Sequence, residues 1–167
     1  MLKLEEQKMT LNEAVLSIGS NIQPKINIEK CLQLLGEHAE ISKTSSVWKT
    51  RAIGSEGPDF FNASVQISTT LSAEQFKKEE IGRIETLLGR VRSQDKNASR
   101  TIDLDIIIFN NCVLDDSLWR CLFIALPVSE IKPEIRHPKY DIPLSEIVNK
   151  MTSSEYAELV KGFTLQV

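Results

Sequence analysis

The residues Ile102 to Phe109 read I-D-L-D-I-I-I-F, and this segment decides the fold. Its run of β-branched isoleucines is typical of a strand. Its first half alternates acidic and apolar residues, whereas its second half is continuously apolar. Because successive side chains of a strand point to opposite faces, Asp103 and Asp105 share one face. We therefore predict a strand that begins with two neighbouring carboxylates and ends in apolar residues.

Toward the amino terminus, hydrophobic periodicity predicts alternating strands and helices. The segment Phe60 to Ser68, F-F-N-A-S-V-Q-I-S, alternates apolar and polar residues, as a half-buried strand does. The other predicted elements are strands at Ala14 to Ile18 and at about 41–50, and helices at about Pro24 to Leu35 and Ser72 to Leu88. This β-α-β-β-α-β order is the ferredoxin-like α+β arrangement. We expect an antiparallel sheet with helices on its faces, in three layers (α/β/α).

The 167 residues suit one domain with a single substantial core. The polar and charged amino terminus predicts a flexible leader over residues 1–11, followed by a single domain over 12–167. After Asn110-Asn111, a second short apolar stretch precedes a tail interrupted by prolines. We expect Ser153 to Lys161 to form a terminal helix.

The composition excludes several classes of protein. A formal net charge of −3 argues against a general nucleic-acid binder, which usually carries a basic surface. No apolar run approaches the roughly 20 residues that span a bilayer, and there is no signal-peptide core. Cys31, Cys112 and Cys121 lack C-x-x-C spacing, so we expect buried free thiols and no zinc site. We expect a cytoplasmic monomer that binds small molecules but neither nucleic acid nor membrane.

The segment before the acidic strand is basic. Two carboxylates on one strand face repel each other unless protons or a cation neutralise them, and magnesium suits such a pair. The cationic side chains just upstream are Arg90, Arg92, Lys96 and Arg100. Acids for a metal beside bases for phosphate are what phosphoryl transfer requires. The alternative is a solvated strand face on which Asp103 and Asp105 pair with nearby arginines.

With R-T-I-D-L-D-I at Arg100 to Ile106, the chain resembles the 6-hydroxymethyl-7,8-dihydropterin pyrophosphokinases of folate biosynthesis. Four further stretches, in the same order as in that family, carry the resemblance. They are Gly19-Ser20-Asn21, T-R-A-I-G-S-E-G-P-D-F-F-N at Thr50 to Asn62, Glu85 with G-R-V-R at Gly89 to Arg92, and F-I-A-L-P-V-S-E-I-K-P at Phe123 to Pro133. The resemblance covers about residues 12 to 150.

The resemblance implies a transferase that moves the pyrophosphoryl group of ATP to the hydroxymethyl group of a dihydropterin and releases AMP. It implies that Asp103 and Asp105 hold two magnesium ions. It also implies that four basic residues and one acidic residue contact the phosphates or the nucleotide. These residues are Arg90, Arg92, Lys96, Arg100 and Glu85. The implied pterin site comprises Thr50, Ile53, Phe60, Asn62 and Phe123. Without the resemblance, Phe60 and Phe123 would be ordinary core residues and Asn62 a buried amide.

One interval departs from the family pattern. Leu114 to Phe123 is short and holds no histidine, where the family usually has V-P-H-P or V-P-H-Y. Trp119 and Arg120 are candidates to substitute by stacking and phosphate contact, and the alternative for Trp119 is a core position. Two other hypotheses therefore stay open. One is a module that binds pterin or nucleotide without turnover, and the other is an interaction domain with no ligand.

Overall fold

The computed structural model describes residues 10–52, 57–91 and 98–166. The strands are β1 (Asn12–Ser20), β2 (Glu40–Thr44), β3 (Trp48–Thr50), β4 (Phe60–Thr69), β5 (Asp103–Phe109), β6 (Cys112–Val113) and β7 (Ala157–Leu159). The helices are α1 (Pro24–Gly36), α2 (Ala73–Gln75, continued by a π-helical Phe76–Ile81 and by Gly82–Leu87), α3 (Leu122–Ile131) and α4 (Leu144–Met151), with a 3₁₀ turn at Asp116–Trp119. Most of the predicted leader, residues 1–9, lies outside the described residues.

The described strands form one antiparallel sheet in the order β6-β5-β1-β4-β3-β7, with β2 also paired to β4. The central strands β5, β1 and β4, with β2 and β3 beyond them, have the ferredoxin-like order. This arrangement brings the beginning of β5 next to the end of β1. The predicted α+β fold is confirmed.

Helices cover both faces of the sheet. Leu16 and Ile18 of β1 point toward α1 and α2, where they join a core with Ile28 and Phe76. Val15 of the same strand belongs to a second core with the residues of α3 and α4. The period of two in β1 thus divides its side chains between two cores. The predicted three-layer arrangement is confirmed.

The expectation that β4 is half-buried was wrong. Asn62, Ser64 and Gln66 alternate with its apolar residues, yet all three are buried. They lie on the α3 side of the sheet, and α3 packs on this strand. A pattern of alternating polarity therefore marks a covered polar face here rather than a solvated one.

The single strand predicted for residues 41–50 is two strands. Ser45 separates them: its backbone N–H donates to the Ser64 carbonyl at 2.9 Å, and its hydroxyl accepts from the Ser64 N–H at 2.8 Å. Because a side chain takes the place of a backbone acceptor, the regular ladder stops there. β2 and β3 still both pair with β4.

The carboxyl-terminal prediction was wrong. Residues Ala157–Leu159 form strand β7, which pairs with β3, instead of the expected helix. The two helices α3 and α4 were not anticipated. Within α3, Pro127 interrupts the helical signal, and this helix is apolar on nearly every side. No helix within the described ranges is both long and apolar enough to cross a membrane.

The cysteine prediction was correct for one residue. Cys31 of α1 is buried, whereas Cys121 is partly exposed at the start of α3. Cys112 is exposed, because β6 is a two-residue strand at the edge of the sheet. All three thiols are free.

Candidate active site

A cleft of about 400 Å³ lies between the sheet and the start of α3. Strands β1, β3, β4 and β5 form its floor, and the segment that leads into α3 forms one wall. Its lining residues are Ser17, Gly19, Thr50, Arg51, Phe60, Asn62, Arg100, Asp103, Asp105, Asp115, Ser117, Cys121, Phe123 and Ile124. The cleft therefore brings the two ends of the predicted site, acidic and aromatic, into one cavity.

The strand register places the floor residues in rows. Gly19 of β1 lies opposite Asp103 of β5 on one side and opposite Asn62 of β4 on the other. Ser17 lies opposite Asp105 in the same way. Directly opposed residues of antiparallel strands point to the same face, so these side chains all face α3. A Cβ at Gly19 would lie 3.4 Å from the Asn62 Oδ1, so the absent side chain keeps the floor open.

Arginines surround the first carboxylate. An Arg90 guanidinium nitrogen lies 2.5 Å from the Asp103 Oδ1, and Arg100 contacts the Asp103 Oδ2. Arg90 also pairs with Glu85, a buried residue of α2 whose Oε1 accepts from the Leu104 N–H at 3.3 Å. The predicted basic and acidic residues are thus one network, and Glu85 fixes Arg90 to the beginning of β5.

The Gly19-Ser20-Asn21 motif holds Arg100 in place. The Asn21 Oδ1 accepts from the Arg100 N–H at 2.7 Å, and the Asn21 N–H donates to the Arg100 carbonyl at 3.1 Å. The Ser20 hydroxyl donates to the Thr101 carbonyl at 2.6 Å. The end of β1 therefore determines where the segment before β5 enters the cleft.

The second carboxylate has a different environment. Burial, together with the negative charges of Asp103 and Asp115, raises the pKa of Asp105 to about 6, and the positive charge of Lys77 partly offsets this rise. An acid with this pKa is partly protonated near neutral pH unless a cation stabilises its charge. The described residues form no cluster of three or more metal-binding side chains. A pair of carboxylates nevertheless fits magnesium, which completes its shell with water and substrate phosphate oxygens.

The other end of the cleft is suited to a flat polar ring. The Asn62 Nδ2 donates to the Thr50 hydroxyl at 2.8 Å, and both residues are buried. Phe60 from β4 and Phe123 from α3 line the cleft, both partly exposed. The Arg100 guanidinium carbon lies 6.0 Å from the centre of the Phe60 ring. The Asn62 amide thus donates to a side chain and not to the backbone. Phe60 and Phe123 are both at the cleft surface, so neither is an ordinary core residue.

The interval that departs from the family pattern contributes polar groups to the cleft. Asp115 accepts from the Ser117 N–H at 2.8 Å, which begins the 3₁₀ turn, and both residues line the cavity. Trp119 instead packs against the His137 ring, with a centroid distance of 5.0 Å, and against the core beneath α3. Arg120 is exposed outside the cleft. The hypothesis that Trp119 and Arg120 substitute at the site is therefore not supported by their positions.

Three predicted site residues, Ile53, Arg92 and Lys96, lie outside the described residues. Conversely, sequence reasoning missed Ser17, Arg51, Asp115, Ser117 and Cys121 as cleft residues. Strand alternation could have found Ser17, which shares a face with Gly19. Arg51 follows the last residue of β3 directly. The positions of Asp115, Ser117 and Cys121 depend on how the segment before α3 folds over the sheet, and no local pattern in the sequence indicates this.

Comparisons with known proteins bear on this cleft. A sequence model of the family "7,8-dihydro-6-hydroxymethylpterin-pyrophosphokinase (HPPK)" matches residues 15–133. The 2-amino-4-hydroxy-6-hydroxymethyldihydropteridine pyrophosphokinase of Aquifex aeolicus is 30% identical over 156 residues, which cover 87% of this chain and 96% of that protein. The Helicobacter pylori protein of the same name is 36% identical over 108 residues, which cover 62% of this chain and 66% of that one.

A crystal structure of Plasmodium falciparum HPPK-DHPS shares the fold, with a TM-score of 0.70 and 14% identity. The match covers 89% of this chain but 47% of that longer one. The family match spans most of the elements that build the cleft, from β1 to the end of α3. This chain belongs to the 7,8-dihydro-6-hydroxymethylpterin-pyrophosphokinase family.

Proposed function

We propose that the cleft is the active site of a pyrophosphokinase of folate biosynthesis. The hydroxyl oxygen of 6-hydroxymethyl-7,8-dihydropterin attacks the β-phosphorus of ATP, and the bond from that phosphorus to the α,β-bridging oxygen breaks. AMP leaves with the bridging oxygen, and the hydroxyl proton is released. The observation that carries the proposal is one cavity with Asp103 and Asp105 at one end and the Thr50–Asn62 pair at the other.

At the acidic end, Asp103 and Asp105 would hold two magnesium ions. When bound, these ions neutralise phosphate charge and align the attacking hydroxyl with the β-phosphorus. Burial and the negative charge of Asp103 raise the pKa of Asp105, and a bound cation would offset both effects by favouring the charged carboxylate. The described part of the chain supplies two carboxylates here and leaves the other coordination positions to water and phosphate.

The arginines bind the phosphates. Arg90 and Arg100 both reach Asp103, so their guanidinium groups lie beside the carboxylate that would hold the metal. Each can donate two parallel N–H groups to phosphate oxygens. Glu85 keeps Arg90 in position. Arg92 and Lys96, which follow Arg90 in sequence, would add positive charge on the nucleotide side.

The other end binds the pterin. Because the Asn62 Nδ2 is bonded to Thr50, its Oδ1 accepts from the amide edge of the ring, and this oxygen lies at the cleft floor beside Gly19. Phe60 and Phe123 contact the two faces of the heterocycle. We also propose that Ile53 contacts the pterin. We further propose that residues 12–167 act as one domain, and as a monomer in the cytoplasm.

The direct test is AMP release by the purified protein with ATP, magnesium and 6-hydroxymethyl-7,8-dihydropterin. We expect AMP from the parent chain and none from the double variant Asp103→Ala, Asp105→Ala. Glu29→Gln is the matched control, since it removes an exposed carboxylate of α1 away from the cleft and should keep full activity. Pterin binding without AMP release would contradict the transferase and support a binding module.

A further inference from the structure

Arg51 is a cation in the cleft that the proposed reaction does not use. It follows Thr50 directly, is exposed and lines the cavity. Its guanidinium carbon lies 5.2 Å from the centre of the Tyr156 ring. The ion pairs among the described residues do not include Arg51. The Arg51 guanidinium therefore offers its N–H donors to the cleft, with an aromatic ring beside it and no carboxylate of the described residues paired with it.

The ring beneath Arg51 is held in place. The Tyr156 hydroxyl donates to the Glu158 Oε2 at 2.5 Å, and the same carboxylate oxygen pairs with the Lys49 ammonium at 2.8 Å. These contacts join β7 to β3, which are hydrogen-bonded neighbours in the sheet. Tyr156 therefore holds Arg51 beside the cleft. A cation–π contact at an exposed site is weak, so two good hydrogen bonds to a ligand can replace it.

The sheet determines which end of a ligand Arg51 can reach. β3 is separated from β5 by β1 and β4, three strand spacings or about 14 Å. Asp103 and Asp105 begin β5, whereas Arg51 follows the last residue of β3. Arg51 thus lies on the side of Thr50 and Asn62, where the heterocycle binds in the proposed function, and away from the phosphates.

We propose that Arg51 is a specificity-determining residue that donates two N–H groups to the O4 and N5 atoms of the dihydropterin, an inference that rests on the proposed function. These two acceptors lie side by side on one edge of the ring, and their spacing matches the planar fork of a guanidinium. Arginine binds the O6 and N7 atoms of guanine in the same way. On binding, Arg51 turns from the Tyr156 ring to this edge, while Asn62 accepts from the amide edge.

The test compares two ligands on three proteins. We would titrate the parent chain, Arg51→Met and Arg51→Lys with 6-hydroxymethylpterin and with its 5-deaza analogue, which has a carbon in place of N5. Magnesium and α,β-methylene ATP are present throughout, so that the second substrate site is filled. Arg51 is exposed and outside the ion pairs of the described residues, so both variants should keep the melting temperature of the parent chain.

The parent chain should bind the N5-containing ligand about tenfold more tightly than the analogue, the effect of one lost hydrogen bond to a charged donor. Arg51→Met should bind both ligands equally. Arg51→Lys keeps the charge but lacks the planar fork, so it should discriminate by less than about threefold. Equal discrimination by the parent chain and Arg51→Met would overturn the inference while the proposed function stands. If the parent chain bound neither ligand and released no AMP, the proposed function would fail and this inference with it.

Discussion

Gly19 of β1 lies directly opposite Asp103 of β5, and a Cβ added to the glycine would stand 3.9 Å from the Asp103 Cβ. The same added atom would lie 3.4 Å from the Asn62 Oδ1. Position 19 is thus between the proposed metal carboxylate and the proposed pterin amide. In the proposed function, the hydroxymethyl group of the substrate lies over this point, between the two ends of the cleft.

We predict that Gly19→Ala stabilises the fold but weakens ligand binding. The added methyl makes ordinary contacts, so the fold accepts it, and alanine in a strand interior should raise the free energy of unfolding by about 0.5–1 kcal/mol. The methyl also occupies the cleft floor, so the affinity for 6-hydroxymethylpterin should fall several-fold, with a larger fall for Gly19→Val. Urea unfolding and ligand titration measure the two effects. Gly36→Ala, which enters open space at the end of α1, is the control and should leave ligand affinity unchanged.

Local sequence patterns predicted some of the strands and helices correctly and missed others. The apolar run of β1, the alternation in β4 and in the first half of β5, and the helical spacing in α1 gave elements close to those observed, because these patterns reflect the packing of each element against the layers next to it. α3 was missed because Pro127 removes one backbone donor and its apolar residues cover nearly the whole surface of the helix. β7 was missed because it depends on the free edge of β3, more than 100 residues earlier.

The residues of the candidate site also include some that could be predicted from the sequence and others that could not. Asp103 and Asp105 could be predicted to share a face from strand geometry alone. That Ser17 and Gly19 lie beside them follows from the β1–β5 register, which the sequence does not state. Asp115 enters the cleft only because the segment before α3 folds across the sheet. Contacts between distant segments therefore account for the residues that sequence reasoning missed.

The raised pKa of Asp105 predicts an unusual dependence of stability on pH. Burial and the charge of Asp103 raise this pKa from 3.8 to about 6, so the folded protein binds this proton more tightly than the unfolded chain does. The proton bound to Asp105 therefore stabilises the folded protein. This contribution to the free energy of unfolding is complete below about pH 4 and is lost as the pH rises through 6. Asp105→Asn should therefore melt a few degrees higher than the parent chain at pH 7.5, with the difference disappearing as the pH falls toward 4.

The effect of magnesium on the melting temperature is a second test of the raised Asp105 pKa. It should raise the melting temperature of the parent chain at pH 7.5, because a cation stabilises the charged Asp105, and it should have much less effect on Asp105→Asn. Thermal unfolding at several pH values, with and without magnesium, measures both changes. A constant difference between the two proteins from pH 4 to 7.5 would show that the Asp105 pKa is not raised.

Glu85 should be needed for both stability and activity. It is buried and pairs with Arg90, which contacts Asp103 in turn. Glu85→Ala leaves Arg90 without a buried partner and should lower the free energy of unfolding by about 3–5 kcal/mol. Glu85→Gln keeps an acceptor for the Leu104 N–H and should cost only about 1–2 kcal/mol.

Kinetics separate the two roles of Glu85. Because Arg90 is held by Glu85, Glu85→Gln should lower kcat more than it raises the KM for the pterin, which binds at the other end of the cleft. Urea unfolding and AMP release measure stability and turnover on the same samples. Full activity in Glu85→Gln would mean that Arg90 keeps its position through Asp103 alone.

Thr50 should act on the pterin through Asn62. Thr50→Val keeps the shape of the side chain but removes the acceptor for the Asn62 Nδ2, which then has an unpaired buried donor. This should cost about 1–3 kcal/mol of stability, and it should weaken pterin binding because the amide is no longer held in one orientation. Thr50→Ser keeps the hydroxyl and serves as the matched control. If Thr50→Val bound 6-hydroxymethylpterin as tightly as Thr50→Ser does, the Thr50–Asn62 hydrogen bond would not orient the amide, and Asn62 would have to be held by the ligand itself.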